Sequence, residues 1–161
     1  AAQQEIERIA LLRPGATLDA DAVAELVADN ARYDVFELST AAFLGNAPRA
    51  LRILDGLRSE GREPPLILWA LLNDLRAASR VLQREPNDRN IEGIFRAEQV
   101  WGSRQGPLKV ALKRLRRADI DALLTAAARA DRVAKGSLRG EPWVEITGLV
   151  ARIAGVTLAA A

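Results

Sequence analysis

Histidine, cysteine and methionine do not occur in these 161 residues. Their absence excludes the usual general base, the thiol nucleophile, the thiolate zinc site and the disulfide framework in one step. Any catalysis would have to rest on carboxylates, lysines or hydroxyls. Long apolar runs are missing too. The longest, Leu66 to Leu72, is about a third of what a bilayer requires, so no membrane span or membrane partner is expected. The opening AAQQEIERIALL has no initiator Met and no pattern of charged head, apolar middle and cleavage site, while Ile6, Ile9 and Ala10 already recur at helical spacing. The sequence reads as a piece of something larger, with the cytoplasm as the expected compartment. Strand periodicity is also wanting: apart from weak fragments such as Val156 to Leu158, nothing alternates with a period of two over strand length. No tandem repeat of fixed period is visible.

What is present points to helices. Apolar residues make up 49% of the chain, with abundant Ala, Leu and Arg, and the net charge is +2. That composition belongs to a soluble helical protein with one good core, or one core and a small appendage. A charge of +2 is too mild to indicate a nucleic-acid partner, so the placement of charge matters more than its sum. The expected fold class is all-α, a helical bundle.

Its organising stretch is Glu63 to Leu82. Pro64 and Pro65 fit the first turn of a helix, where the missing N–H has no partner to lose, and no breaker follows until Pro86. About five turns result, roughly 30 Å of rod. Leu66 to Leu72 should be surrounded by protein, with Trp69 as core packing. From Asn73 onward only Leu75, Ala78 and Leu82 keep a stripe, so this half reads as partly wet.

Around that rod, Ala1 to Leu12 reads as a helix stopped by Arg13-Pro14-Gly15, and Ala22 to Asp29 as a second, capped by Asp19 or Asp21. Asp34 caps a third, carrying Val35, Phe36, Leu38, Ala42 and Phe43 and ending at Gly45-Asn46. Pro48 opens a fourth, with Leu51, Ile53, Leu54 and Leu57 inward, which runs to Gly61. Beyond Pro86 come a short helix at Ile91 to Ala97 and a loop through Trp101 and Gly106. Pro107 starts a helix with Leu108, Ala111, Leu112 and Leu115 on one side. Asp119 or Asp121 lies in the first turn of the next, which stops at Gly136. Pro142 begins the last, presenting Trp143, Ile146, Leu149, Val150 and Ile153.

The sharpest chemical feature is the acid-free run from Gln99 to Ala118, which holds Arg104, Lys109, Lys113, Arg114, Arg116 and Arg117 behind Trp101. Lys109, Lys113 and Arg117 recur at i, i+4 and i+8, which puts three cations on one helical strip able to neutralise phosphates. Trp101, beside Gly102 in a loop, is placed to stack on an exposed base. A solvated basic face and a core tryptophan are the plainer readings of the same residues. Carboxylate pairs such as Glu60 and Glu63, or Glu141 and Glu145, have the spacing of structural partners: Glu141 suits a helix cap, and Asp131 lies four residues before Lys135. No nucleophile converges with a base, so no catalytic residue, cofactor or metal ligand is expected. The absence of GxxxxGK[ST] removes the phosphate loop of nucleotide hydrolases.

Tyr33 to Arg76, YDVFELSTAAFLGNAPRALRILDGLRSEGREPPLILWALLNDLR, resembles the delta subunits of the bacterial DNA polymerase III clamp loader. The resemblance continues through Phe95 to Leu115 and through the final helices to PWVEITGLVARIAG, an ordered match over nearly the whole chain. It implies that residues 1–31 are the end of an AAA+-like lid domain and residues 32–161 the helical collar, through which clamp-loader subunits join into a ring. The implied role is non-enzymatic assembly during DNA replication, with other clamp-loader subunits as partners. Clamp opening belongs to an N-terminal domain of that family, so the sliding clamp is not an expected partner of this stretch. Polymerase activity attaches to the parent polypeptide only through its holoenzyme. Because the collar lies over the primer–template end, the resemblance also favours DNA proximity for Trp101, Arg104, Lys109, Lys113 and Arg117. The expected subunit interface takes Leu75, Arg76, Arg80, Leu82, Val150 and Arg152, apolar centres with arginine rims. A free-standing helical nucleic-acid-binding module is the alternative.

Overall fold

A computed structural model describes residues 35–84 and 91–157. The chain divides into two units, Ala1–Tyr33 and Asp34–Ala161, and every described residue lies in the second. The helices expected before Asp34, and the lid segment 1–31, therefore lie outside the described residues.

The second unit is an all-α bundle, without a strand among the described residues. Helix α1 covers residues 35–43, followed by α2 (Ala47–Ser59), α3 (Pro64–Gln83), α4 (Ile91–Ala97), a 3-10 turn at Gly102–Arg104, α5 (Gln105–Arg114), α6 (Arg117–Ala134) and α7 (Pro142–Ile153). The punctuation has local causes. Asn46 caps α2, its Oδ1 accepting the Arg49 N–H at 3.2 Å. Pro64 and Pro142 start α3 and α7 at positions where the absent N–H is harmless. The Glu141 carboxylate takes the Trp143 N–H at 3.1 Å, the cap its position suggested.

Helix α3 is the post of the bundle, packed against α5, α6 and α7, while α6 and α7 form a hairpin and α7 also meets α2. Ile67, Leu68, Leu71 and Leu75 are fully buried. Each such side chain stabilises the fold by about 1.5–3 kcal/mol relative to exposure. The second half of α3 is drier than its sequence suggested: Leu75, Ala77, Ala78 and Val81 are all buried, and Leu82 is half-buried against the core. Alanines also line the buried face of α6, at Ala127 and Ala130. Small side chains on both partners let helix axes approach closely, which widens the contact beyond a narrow leucine stripe.

Trp69 departs from the core role expected of it. It is 43% exposed and meets Phe36 edge-on, the ring centroids 6.3 Å apart at 67°. Seven consecutive apolar residues wrap around a helix at 100° each, and the neighbours of α3 cover only part of that circle. Trp143 is half-buried against the core, with the Arg58 guanidinium 5.6 Å from its ring centroid. No helix of the described residues is long and apolar enough to cross a membrane.

Several helices end in one hydrogen-bond pattern. After α6, the Gly136 N–H donates to Val133 and the Ser137 N–H to Arg132, with Gly136 in the left-handed region at φ 72°. This is the Schellman closure, which satisfies carbonyls the helix leaves open. After α1 the closure at Gly45 (φ 82°) is reinforced from a distance. The Arg114 guanidinium donates from Nη2 to the carbonyls of Ala42 and Phe43, at 3.1 and 2.9 Å. A Cβ at Gly45 would stand 3.2 Å from Arg114 Nε, so the glycine serves both the turn and the fit of the arginine. Burial pulls the pKa of Arg114 below the usual arginine range.

Candidate functional site

The site grows from the end of α4. Val100 donates to the Phe95 carbonyl and Gln99 to that of Arg96, the same closure as after α6, but the left-handed residue is Gln99, at φ 58°. A side chain there is disfavoured by roughly 1–2 kcal/mol relative to ordinary backbone. Phe95 and Val100 are fully buried and supply the apolar contact that accompanies the motif. Buried Val100 thus fixes the entry to the turn, and the Gln105 side-chain amide donates to its carbonyl at 2.8 Å. Trp101 follows in extended conformation and is 55% exposed.

The exit of the turn is fixed by charge. Arg104 Nε donates to Asp74 Oδ1 at 2.8 Å, and its Nη2 bonds the same oxygen. Asp74 Oδ2 accepts the Ser39 hydroxyl at 2.6 Å. The two charged side chains are 29% and 14% exposed, and Ser39 is buried. One carboxylate therefore ties α1, α3 and the Trp101 turn together. A second carboxylate, Glu98, accepts from Arg80 Nε at 2.8 Å and Arg84 Nε at 2.7 Å. Hydrogen bonding by Arg84, joined by Arg80, holds the Glu98 carboxyl below the usual glutamate range against the opposing effect of its burial.

The basic residues do not form the single strip that their spacing suggested. Helix α5 ends at Arg114, and Leu115 and Arg116 are extended. The Arg116 N–H donates to the Asp119 carboxylate at 2.8 Å, starting α6 at Arg117. Lys109 and Lys113 share one helix; Arg117 opens the next. No proline or glycine marks the break, and the capping carboxylate of Asp119 supplies it. Lys113 and Arg117 are exposed. Lys109 is half-buried, its Nζ 3.5 Å from Glu92 and 5.8 Å from the Phe95 ring centroid.

The residues expected at a subunit interface also separate. Leu75 and Val150 have no exposed surface; they hold the interior of this unit and cannot form the apolar centre of a docking face. Leu82 is half-buried, Arg76 exposed, and Arg80 engaged with Glu98. Exposed Arg152 lines an open cavity of about 280 Å³ with Arg114, Asp119, Gly155 and Thr157. Among the described residues, no three Asp or Glu side chains converge on a metal position.

Sequence reasoning missed Asp74, Ser39, Gln99 and Glu98. Asp74 carried a usable signal as the sole acid between Pro64 and Gln83, set beside buried Leu75. Ser39 likewise falls on the inward face of α1 with Val35, Leu38 and Ala42.

Comparison with known proteins gives the family. A family model described as the processivity clamp loader gamma complex DNA pol III C-terminal domain matches residues 35–160. The chain belongs to that family. Among curated proteins, it is 31% identical over 146 residues to DNA polymerase III subunit delta of Escherichia coli (strain K12), covering 91% of this chain and 42% of the relative. To the subunit delta of Haemophilus influenzae (strain ATCC 51907 / DSM 11121 / KW20 / Rd) it is 26% identical over 161 residues, covering 95% of this chain and 47% of that protein. The chain thus spans less than half the length of these relatives. The family match takes in the described helices from α1 to α7, including the Trp101 turn and its carboxylate ties.

Proposed function

We propose that this chain is the collar-bearing part of a clamp-loader delta subunit, acting in the cytoplasm during DNA replication. Residues 1–31 close an AAA+-like lid domain, and residues 32–161 join a hetero-oligomeric ring by packing helices against neighbouring subunits. The family match over residues 35–160 carries this reading. The docking rim draws on Arg76, Arg80, Leu82 and Arg152. Its test is the size and composition of complexes formed when the chain is mixed with candidate clamp-loader subunits. Stable co-elution at defined stoichiometry is expected, and failure to associate with any of them would sink the reading.

Within that ring the Trp101 turn meets the primer–template. Its support is an exposed indole with exposed Lys113 and Arg117 and half-buried Lys109 on the helices that follow. Replacing Trp101, Lys109 and Lys113 together by alanine should weaken primer–template binding by the whole loader and leave assembly intact. Unchanged DNA-dependent loading would return these residues to an ordinary surface. The same exposure favours a second reading, a free-standing nucleic-acid-binding module. Such a module would bind primer–template DNA alone, with affinity falling steeply as salt rises, and would not co-elute with loader subunits.

A further inference from the structure

Arg104 belongs by composition to the basic run, but its guanidinium is already committed. Both Nε and Nη2 point at Asp74 Oδ1, and Asp74 spends its other oxygen on buried Ser39. To contact a phosphate, Arg104 would have to share its guanidinium between that anion and a half-buried carboxylate that already takes two of its nitrogens. Trp101, by contrast, has more than half of its surface in solvent. Its position is set from the two sides: by buried Val100, whose carbonyl receives Gln105, and by the Arg104–Asp74 tie three residues on. Left-handed backbone at Gln99 works against this shape, and Gly102 (φ 56°) permits it without fixing it.

We propose that Arg104, Asp74 and Ser39 are positioning residues that hold the Trp101 indole outward, ready to stack on a nucleic-acid base, and that Arg104 is not itself a phosphate ligand. The inference rests on the reading of Trp101 as a DNA contact. An aromatic platform fixed before binding loses less freedom when a base stacks on it, so the tie acts on affinity through Trp101. A phosphate ligand acts differently, because each phosphate neutralised adds about 0.9 to the slope of log affinity against log salt.

The experiment uses the assembled loader, a fluorescent primer–template and a salt series, with Trp101→Ala, Arg104→Ala, Asp74→Asn and the combinations of Arg104→Ala with each of the others. Trp101→Ala should weaken binding by about tenfold or more. Arg104→Ala and Asp74→Asn should each weaken it by about three- to tenfold with an unchanged salt slope. Their combination should be no worse than either alone, and Arg104→Ala should have no further effect once Trp101 is alanine. A salt slope reduced by about one unit in Arg104→Ala, with Asp74→Asn neutral or tighter, would overturn the proposal in favour of a phosphate contact. An Arg104→Ala effect that persists in the Trp101→Ala background would also overturn it, as a purely structural role. If Trp101→Ala leaves binding unchanged, the DNA reading of the turn falls by itself. Hydrogen exchange of residues 98–106 in the assembled loader then decides the positioning: equal acceleration by Arg104→Ala and Asp74→Asn supports it, and no acceleration overturns it.

Discussion

The turn after α4 and the turn after α6 are closed by the same pair of backbone hydrogen bonds, yet they are secured by different means. After α6 a glycine, Gly136, takes the left-handed position, and the chain passes to α7 through the residues up to the Glu141 cap. After α4 a glutamine takes it, and side chains supply the hold: Glu98 to Arg80 and Arg84, Gln105 to the Val100 carbonyl, Arg104 to Asp74. The turn after α6 follows chiefly from backbone preference, with only a local Lys135–Asp131 ion pair beside it. The second depends on partners elsewhere in the fold, and it carries the exposed tryptophan. A turn fastened by side chains sits where it does only while the core behind those side chains is intact.

The largest effect should come from removing the support common to both. Leu75→Ala, at a fully buried position of α3, should lower stability by about 2–5 kcal/mol in urea unfolding, and both turns should loosen together. Asp74→Ala should separate them. It strands Arg104 and Ser39, lowers stability by about 1–3 kcal/mol, and raises amide exchange around residues 98–106 while the turn at Gly136 keeps its protection. If both turns respond equally, the distinction between them fails. A reciprocal pair sharpens it further. Gly136→Ala should destabilise by about 1 kcal/mol, whereas Gln99→Gly should stabilise by about 0.5–1 kcal/mol, both read from shifts in the urea midpoint.

Acid should produce the smallest change. The folded Glu98 carboxyl lies below its ordinary value of about 4.5, so its contribution is fully present above that pH and is lost as pH falls through the folded value. Glu98→Gln should therefore be less stable than the parent near neutrality. The difference between the two proteins should shrink in acid below about pH 4.5. A difference independent of pH would remove the Glu98 charge from the account of this turn.

Much of the frame is legible in the sequence. Proline starts at Pro48, Pro64 and Pro142, and glycine stops at Gly45, Gly61 and Gly136, are local chemistry, and local chemistry is written in neighbouring residues. The short helix Ile91–Ala97 and the all-α class were legible for the same reason. What escaped was register and distance. The break at Leu115-Arg116 depends on one carboxylate reaching back three residues, so spacing alone puts Arg117 on the wrong helix. Leu75 and Val150 looked like candidates for a wet face because a stripe does not reveal how many helices surround it. Arg104 could not be distinguished from its basic neighbours, because its partner lies 30 residues away. Hydrophobicity puts Trp69 in the core because it does not say which side of a helix the bundle leaves open.

The Arg114 contact has a consequence in time. Its guanidinium completes the carbonyls of Ala42 and Phe43 from 72 and 71 residues downstream. At a synthesis rate of about 5–20 residues per second, roughly four to fourteen seconds separate the appearance of Ala42 from that of Arg114. Through that interval the Ala42 carbonyl has only the local Gly45 N–H, and the Phe43 carbonyl is left to water. The Gly45 turn is thus a joint completed in two stages, its backbone closure local and its second closure waiting on an arginine from the far side of the sequence.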